Sequence, residues 1–211
     1  MIPFFRVLCL FAYIDRQNVS YAKLDMVGDP GLSEDAYGLG ATLFFIGYFL
    51  FEVPSNLFRE RVSARRGFAR IMVTWGLVTI ALGFTSGTAI FYVLRFMLSV
   101  AEAGFLPGVL YVLTLCLPFA HRARMIGAFM ILSAIANAIG APLGGLLLDL
   151  DGLMGHRGWQ WVFWVTGTPA VILGIVTLFY LHDRPEDARF LSELEKRCSR
   201  IRGRPGTGRC A

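Results

Sequence analysis

Five charged side chains stand away from the ends of stretches that are otherwise almost wholly apolar. Asp15 and Arg16 are neighbours, Glu52 stands alone, and Arg95 precedes Glu102 by seven residues. An ionisable group at the centre of a bilayer costs at least about 2.5 to 3.5 kcal/mol, so each needs a reason to be there. Seven residues make two helical turns, which puts Arg95 and Glu102 on one helix face that should line a polar cavity. A carboxylate in such a place suits proton handling. Burial favours its neutral form and a nearby guanidinium its charged form, so a movement that changes the partner changes the proton affinity. Arginine keeps its proton, and its planar fork fits a substrate carboxylate through two hydrogen bonds. The alternative is a set of fixed ion pairs that hold helices together. Glu52, beside Pro54, has a further alternative: capping broken backbone bonds or snorkelling toward water.

The elements that must position these groups are set by composition. Of 211 residues, 55% are hydrophobic and 17% charged, with a mean hydropathy of +0.58. The apolar residues gather into runs of about 20, the length that crosses roughly 30 Å of hydrocarbon at 1.5 Å per residue. Six such spans are expected, at 2–22, 36–58, 68–86, 89–117, 125–148 and 161–181. All are expected to be helices, since lipid leaves each backbone amide to be satisfied within its own segment and the runs lack the alternation of barrel strands. The fold class is therefore all-α and polytopic. Residues 1–181 form the transmembrane bundle, and 182–211 a cytoplasmic segment with a disordered tail.

Lys and Arg collect on cytoplasmic connections. Arg59, Arg61, Arg65, Arg66 and Arg70 follow the second span, Arg122 and Arg124 follow the fourth, and more arginines stand in the tail. The other connections carry Lys23 among acids, no charge, and Arg157 near Asp149 and Asp151. Both termini are thus expected to be cytoplasmic. Topology accounts for the net charge of +5, so no nucleic-acid partner is expected, and the bilayer is the first partner. Asp15, rising from the inside, reaches roughly 20 Å, and Arg95 descends about 10 Å from the outside, which sets them at similar depth. Cys9, Cys116, Cys198 and Cys210 lack the spacing of a metal site or disulfide framework, and no cofactor is expected. No nucleophile with a paired base and no phosphate-binding loop points to an enzyme. Gly140, Pro142, Gly144 and Gly145 lie within an apolar span, where close helix packing and a proline kink explain them better than a binding loop. Gly104, Pro107 and Gly108 suggest a bend just below Glu102.

Several motifs carry a resemblance. The connection Glu60-Arg61-Val62-Ser63-Ala64-Arg65-Arg66 resembles the loop signature between the second and third helices of the major facilitator superfamily. Glu60 replaces the usual Asp, Ser63 the usual Gly, and Asn56 the leading Gly. The resemblance implies a gating loop of Glu60, Arg61, Arg65 and Arg66, with a plain basic topology signal as the alternative. Ile14-Asp15-Arg16-Gln17-Asn18-Val19-Ser20, Gly47-Tyr48-Phe49-Leu50-Phe51-Glu52-Val53-Pro54 and Leu94-Arg95-Phe96 with Ala101-Glu102-Ala103-Gly104 are similar, in content and order, to the anion:cation symporter family of sugar-acid, tartrate and phthalate carriers.

The resemblance implies one six-helix half of a major facilitator fold, built as two inverted three-helix repeats. It implies a symporter of protons with an organic carboxylate substrate. Asp15 and Glu102 would carry the protons. Arg16 would meet the anion or pair with these acids, and Arg95 would bias their protonation. Tyr13 and Tyr48 would face the cavity, with interfacial or core packing as the alternative. Ser133 and Asn137, one turn apart, could present hydroxyl and amide to the same space or bond between helices. The tail after Arg197 reads as a truncated or frame-shifted ending. A second half-transporter or a homodimer would then supply the opposing wall. The alternative is an inactive fragment or an assembly modulator of a longer carrier.

Overall fold

The structure, a computed structural model, describes residues 2–27, 33–61, 64–109 and 119–180. Residues 110–117 of the fourth expected span and the tail from 181 lie outside them. Among the described residues there is no strand, and six α-helices follow one another. These are α1 (Ile2–Met26), α2 (Glu34–Arg61), α3 (Ala64–Leu82), α4 (Thr88–Glu102), α5 (Phe119–Leu148) and α6 (Gly158–Tyr180), with a 3-10 turn at Leu153–Gly155.

Among the described residues, four stretches are long and apolar enough to cross a membrane: Glu34–Ser55, Thr88–Val109, Met130–Leu148 and Gly158–Phe179. In α1 and α3, outside this set, charged residues leave only a short uninterrupted apolar run, whereas those of α2 other than Glu52 stand at its ends. α1 carries Arg6, Asp15, Arg16, Lys23 and Asp25 in its 25 residues, and α3 opens on Arg65, Arg66 and Arg70. Local signals account for the helix ends. Ser33 Oγ accepts from the Ala36 amide at 3.2 Å, capping α2, and Glu34 and Asp35 complement its positive end.

The bend expected below Glu102 is present. α4 stops there, Ala103 leaves helical geometry at φ −56° and ψ 127°, and Gly104 adopts φ +89° before 105–109 turns helical again. That left-handed backbone favours glycine. A Cβ on Gly104 would also meet Ser55 Oγ at 2.6 Å. Ser55 donates to the Ala103 carbonyl at 2.6 Å, which ties the break to α2.

Helix contact relies on small residues. The α3–α6 seam is the most extensive, followed by α1–α5 and α2–α4. A Cβ on Gly76 would come 2.9 Å from the Gly167 carbonyl oxygen, and one on Gly167 3.0 Å from that of Gly76, so the two backbones touch. Gly40 and Gly47 of α2 lie under Phe91 and Ser99 of α4. Gly140 and Gly144 seat the Tyr21 ring, in keeping with a packing role, whereas a Cβ on Gly145 would meet nothing within 4 Å. The core runs through Trp75, Phe68, Phe91 and Phe163. Outward, Phe49 is 83% exposed, with Leu50, Val53, Ile131, Ile172 and Phe179 also open. Such a surface suits lipid, as the buried polar groups suit an interior.

Candidate functional site

Successive residues on a helix point about 100° apart, and this separates Asp15 from Arg16. Asp15, buried at 3% exposure, turns to the junction of α1 with α3 and α6. Its Oδ2 accepts from Trp75 Nε1 and, at 3.1 Å, from Thr79 Oγ1. Its Oδ1 accepts from Asn18 Nδ2 at 2.8 Å. Asn18 Nδ2 also lies 2.5 Å from Thr166 Oγ1 on α6. The hydrogen bonds to Asp15 thus come from neutral donors.

Arg16 turns instead to α4. Its Nη2 lies 3.1 Å and its Nε 3.4 Å from Glu102 Oε2, an ion pair across helices. The second Glu102 oxygen, Oε1, is buried with no hydrogen-bond partner among the described residues, and so is Arg95 Nε. α2 supplies a platform for both arginines. Phe44 and Tyr48, one turn apart, stack with centroids 6.1 Å apart and planes at 27°. The Arg95 guanidinium sits 4.7 Å over Phe44 and that of Arg16 4.8 Å over Tyr48. Cation–π attraction favours each fork over its ring.

A cavity of about 220 Å³ opens beside these groups, lined among others by Asp15, Arg16, Tyr37, Phe44, Arg95 and Glu102. A smaller crevice of about 20 Å³, bounded by Tyr13, Arg16, Tyr48, Trp75 and Glu102, has room for one water. The structure thus brings together Asp15, Arg16, Arg95, Glu102, Tyr13 and Tyr48.

Other expected residues stand apart from both spaces. Ser133 donates to the Met130 carbonyl at 2.7 Å and Asn137 is exposed. Glu52 is half-buried away from the cavities. Arg65 and Arg66 open α3, while the side chains of Glu60 and Arg61 lie outside the described residues. Trp75, Thr79, Asn18, Thr166 and Phe44 were not expected at the site. A signal existed for some of them: Asn18 follows Asp15 by three residues, and Trp75 and Thr79 are one turn apart on a largely apolar helix.

The chain is similar in sequence and fold to known proteins. The sequence model of the Major Facilitator Superfamily matches residues 7–207. A quinolone resistance transporter of Acinetobacter baumannii is 50% identical over 196 residues, covering 93% of this chain and 45% of that protein. A protein of Agrobacterium vitis named for tartrate transport is 47% identical, covering 93% of this chain and 44% of its own. The inner membrane transport protein RhmT of Escherichia coli is 41% identical, covering 93% and 46%. The chain spans about half the length of the curated relatives it matches. Among solved structures, a bacterial homologue of the human lysosomal transporter Spinster, in an inward-facing and unoccupied conformation, matches with a TM-score of 0.80 at 19% identity, covering 92% of this chain and 46% of that one. These relatives are named as transport proteins, and the chain belongs to the Major Facilitator Superfamily.

Proposed function

We propose that the chain forms the proton- and anion-handling wall of a carrier that moves an organic carboxylate together with protons. The observation that carries this reading is the buried Glu102, paired through one oxygen with Arg16 and lining the same cavity as Arg95. A charged Glu102 occupies the Arg16 fork. A proton on Glu102 weakens that pair and frees the fork for a substrate carboxylate, so proton and anion would bind together. Arg95, whose Nε has no hydrogen-bond partner among the described residues, offers a second anion contact. Tyr13 and Tyr48 offer hydroxyls to a hydroxy acid, and Asp15 is the second proton carrier. The name of the Agrobacterium vitis relative agrees with a small dicarboxylate as substrate.

In this reading all six helices cross the bilayer, α1 and α3 being sheltered by the other four. They form one half of the fold as two inverted repeats, with both ends cytoplasmic as the arginines indicate. A second six-helix half, from a homodimer or another chain segment, closes the cavity. Ser133 and Asn137 join the site from that side. Glu60, Arg61, Arg65 and Arg66 gate its inner opening.

The test is uptake of labelled tartrate and sugar acids into proteoliposomes under an inward proton gradient. The chain is reconstituted alone and together with the carboxy-terminal half of RhmT. Saturable uptake that Asp15→Asn and Glu102→Gln abolish is expected in at least one preparation. Equal uptake by the parent and both variants overturns the coupling. No uptake or binding in either preparation favours the other reading, an inactive fragment or an assembly modulator.

A further inference from the structure

The amide of Asn18 could present either its oxygen or its nitrogen to Asp15. Thr166 decides between them. Its hydroxyl lies 2.6 Å from the Val162 carbonyl, which can only accept, so the one hydroxyl proton is committed there. Thr166 Oγ1 must therefore act as acceptor toward Asn18 at 2.5 Å, and the Asn18 atom facing it must be the NH2 group. That same NH2 lies 2.8 Å from Asp15 Oδ1. Its two hydrogens serve both contacts. A flipped amide would set the Asn18 oxygen against two acceptors unless Asp15 carried a proton and Thr166 gave up Val162.

We infer that Thr166, acting through Asn18, is a positioning residue that fixes the Asn18 amide as a donor and holds Asp15 as a hydrogen-bond acceptor. Trp75 completes the arrangement, since an indole nitrogen can only donate. The residues lie 148 apart in sequence, on α1 and α6. The charge of Asp15 is thereby tied to the α1–α6 contact, so separating these helices would let the amide turn and Asp15 take up a proton. The part this plays in coupling rests on the proposed transport; the positioning does not. The charged and titratable groups facing Asp15 are Arg95 and Glu102 from α4, with Arg16 beside it on α1 and Tyr37 of α2 on the same cavity. Among the described residues, α3 and α6 bring it Trp75, Thr79 and, through Asn18, Thr166.

The experiment is an infrared titration of the full chain in lipid, with the carboxylic-acid signal of Asp15 assigned by its loss in Asp15→Asn. Thr166→Val frees the amide to turn but leaves the donor in place, so the midpoint should move to higher pH by part of the roughly one unit expected when Asn18→Ala removes the donor altogether. Thr166→Ser keeps the hydroxyl and should titrate like the parent chain. Asn18→Ala should shift in the same direction as Thr166→Val and serves if the valine variant fails to fold. An unchanged midpoint in the folded variants overturns the inference. So does a shift in Thr166→Ser as large as in Thr166→Val, or an Asp15 signal that does not titrate across the stable pH range. Failure of the transport reading would appear separately, as uptake indifferent to Asp15→Asn, and would leave these midpoints as they are.

Discussion

Arg16 and Glu102 form a 3.1 Å ion pair of unequal partners, the carboxylate side chain 6% exposed and the guanidinium side chain 37%. Water can take back the arginine far more readily than the glutamate. Removing Arg16 therefore leaves a buried charge with nothing to replace its partner. Losing one member of a buried pair costs on the order of 3 kcal/mol, and less where the lost member is partly hydrated.

Arg16→Ala should accordingly lower the melting temperature of the detergent-solubilised chain, and the loss should depend on pH. The penalty should be larger at the higher of two pH values, where the orphaned carboxylate must hold its charge, and smaller at the lower one, where a proton neutralises it. Arg16→Lys should fall between the parent and the alanine variant, keeping the charge but not the fork. The same drop at both pH values would show that Glu102 is not under that strain.

The seam at Gly76 and Gly167 makes a steric prediction. Each position, given a Cβ, would press on the other's carbonyl oxygen at 2.9 and 3.0 Å, and backbone cannot swing aside as a side chain can. Gly167→Val or Gly76→Val should push α3 from α6 and cost on the order of 1–3 kcal/mol or more. Gly38→Ala and Gly145→Ala meet nothing within 4 Å and should leave the melting temperature almost unchanged. Thermal unfolding followed by size-exclusion chromatography would check both sets.

The break below Glu102 makes another. Gly104→Ala must hold φ +89° with a side chain and crowd Ser55, so about 1–3 kcal/mol of destabilisation is expected. Ser55→Ala removes the donor to the Ala103 carbonyl and should cost about 1 kcal/mol. The double variant relieves the crowding at 2.6 Å but not the backbone strain. Its total should therefore fall short of the sum of the single losses in denaturant titrations.

How much of this was legible in the sequence follows from what a helix periodicity can carry. Arg95 and Glu102, two turns apart, were placed on one face, and both line the cavity. The bend at Gly104 was visible as a cluster of glycine and proline. Depth along α1 set Asp15 level with Arg95, but depth says nothing about rotation. Only the packed bundle shows Asp15 turned to Trp75 and Thr79 while its neighbour reaches Glu102. Thr166 was beyond reach for the same reason, since a lone threonine in an apolar run gives no hint of a partner 148 residues earlier.

The neutral donors around Asp15 allow its two roles, charge carrier and acceptor, to be separated by substitution. Asp15→Leu leaves the Trp75 indole, the Thr79 hydroxyl and one Asn18 hydrogen buried without an acceptor. Each such group costs about 1–3 kcal/mol, enough together to prevent stable folding. Asp15→Asn keeps an oxygen for Trp75 and Thr79 but sets its own NH2 against that of Asn18, so one contact is lost. About 1–2 kcal/mol is expected, and the variant should remain folded. Circular dichroism and Trp75 emission, isolated by difference from Trp75→Phe, would measure both. If the leucine variant proves as stable as the asparagine variant, the three donors are not satisfied by Asp15 in the folded chain. A much larger loss in leucine than in asparagine shows that the aspartate at position 15 fixes the junction of α1, α3 and α6 as an acceptor, independently of any proton it carries.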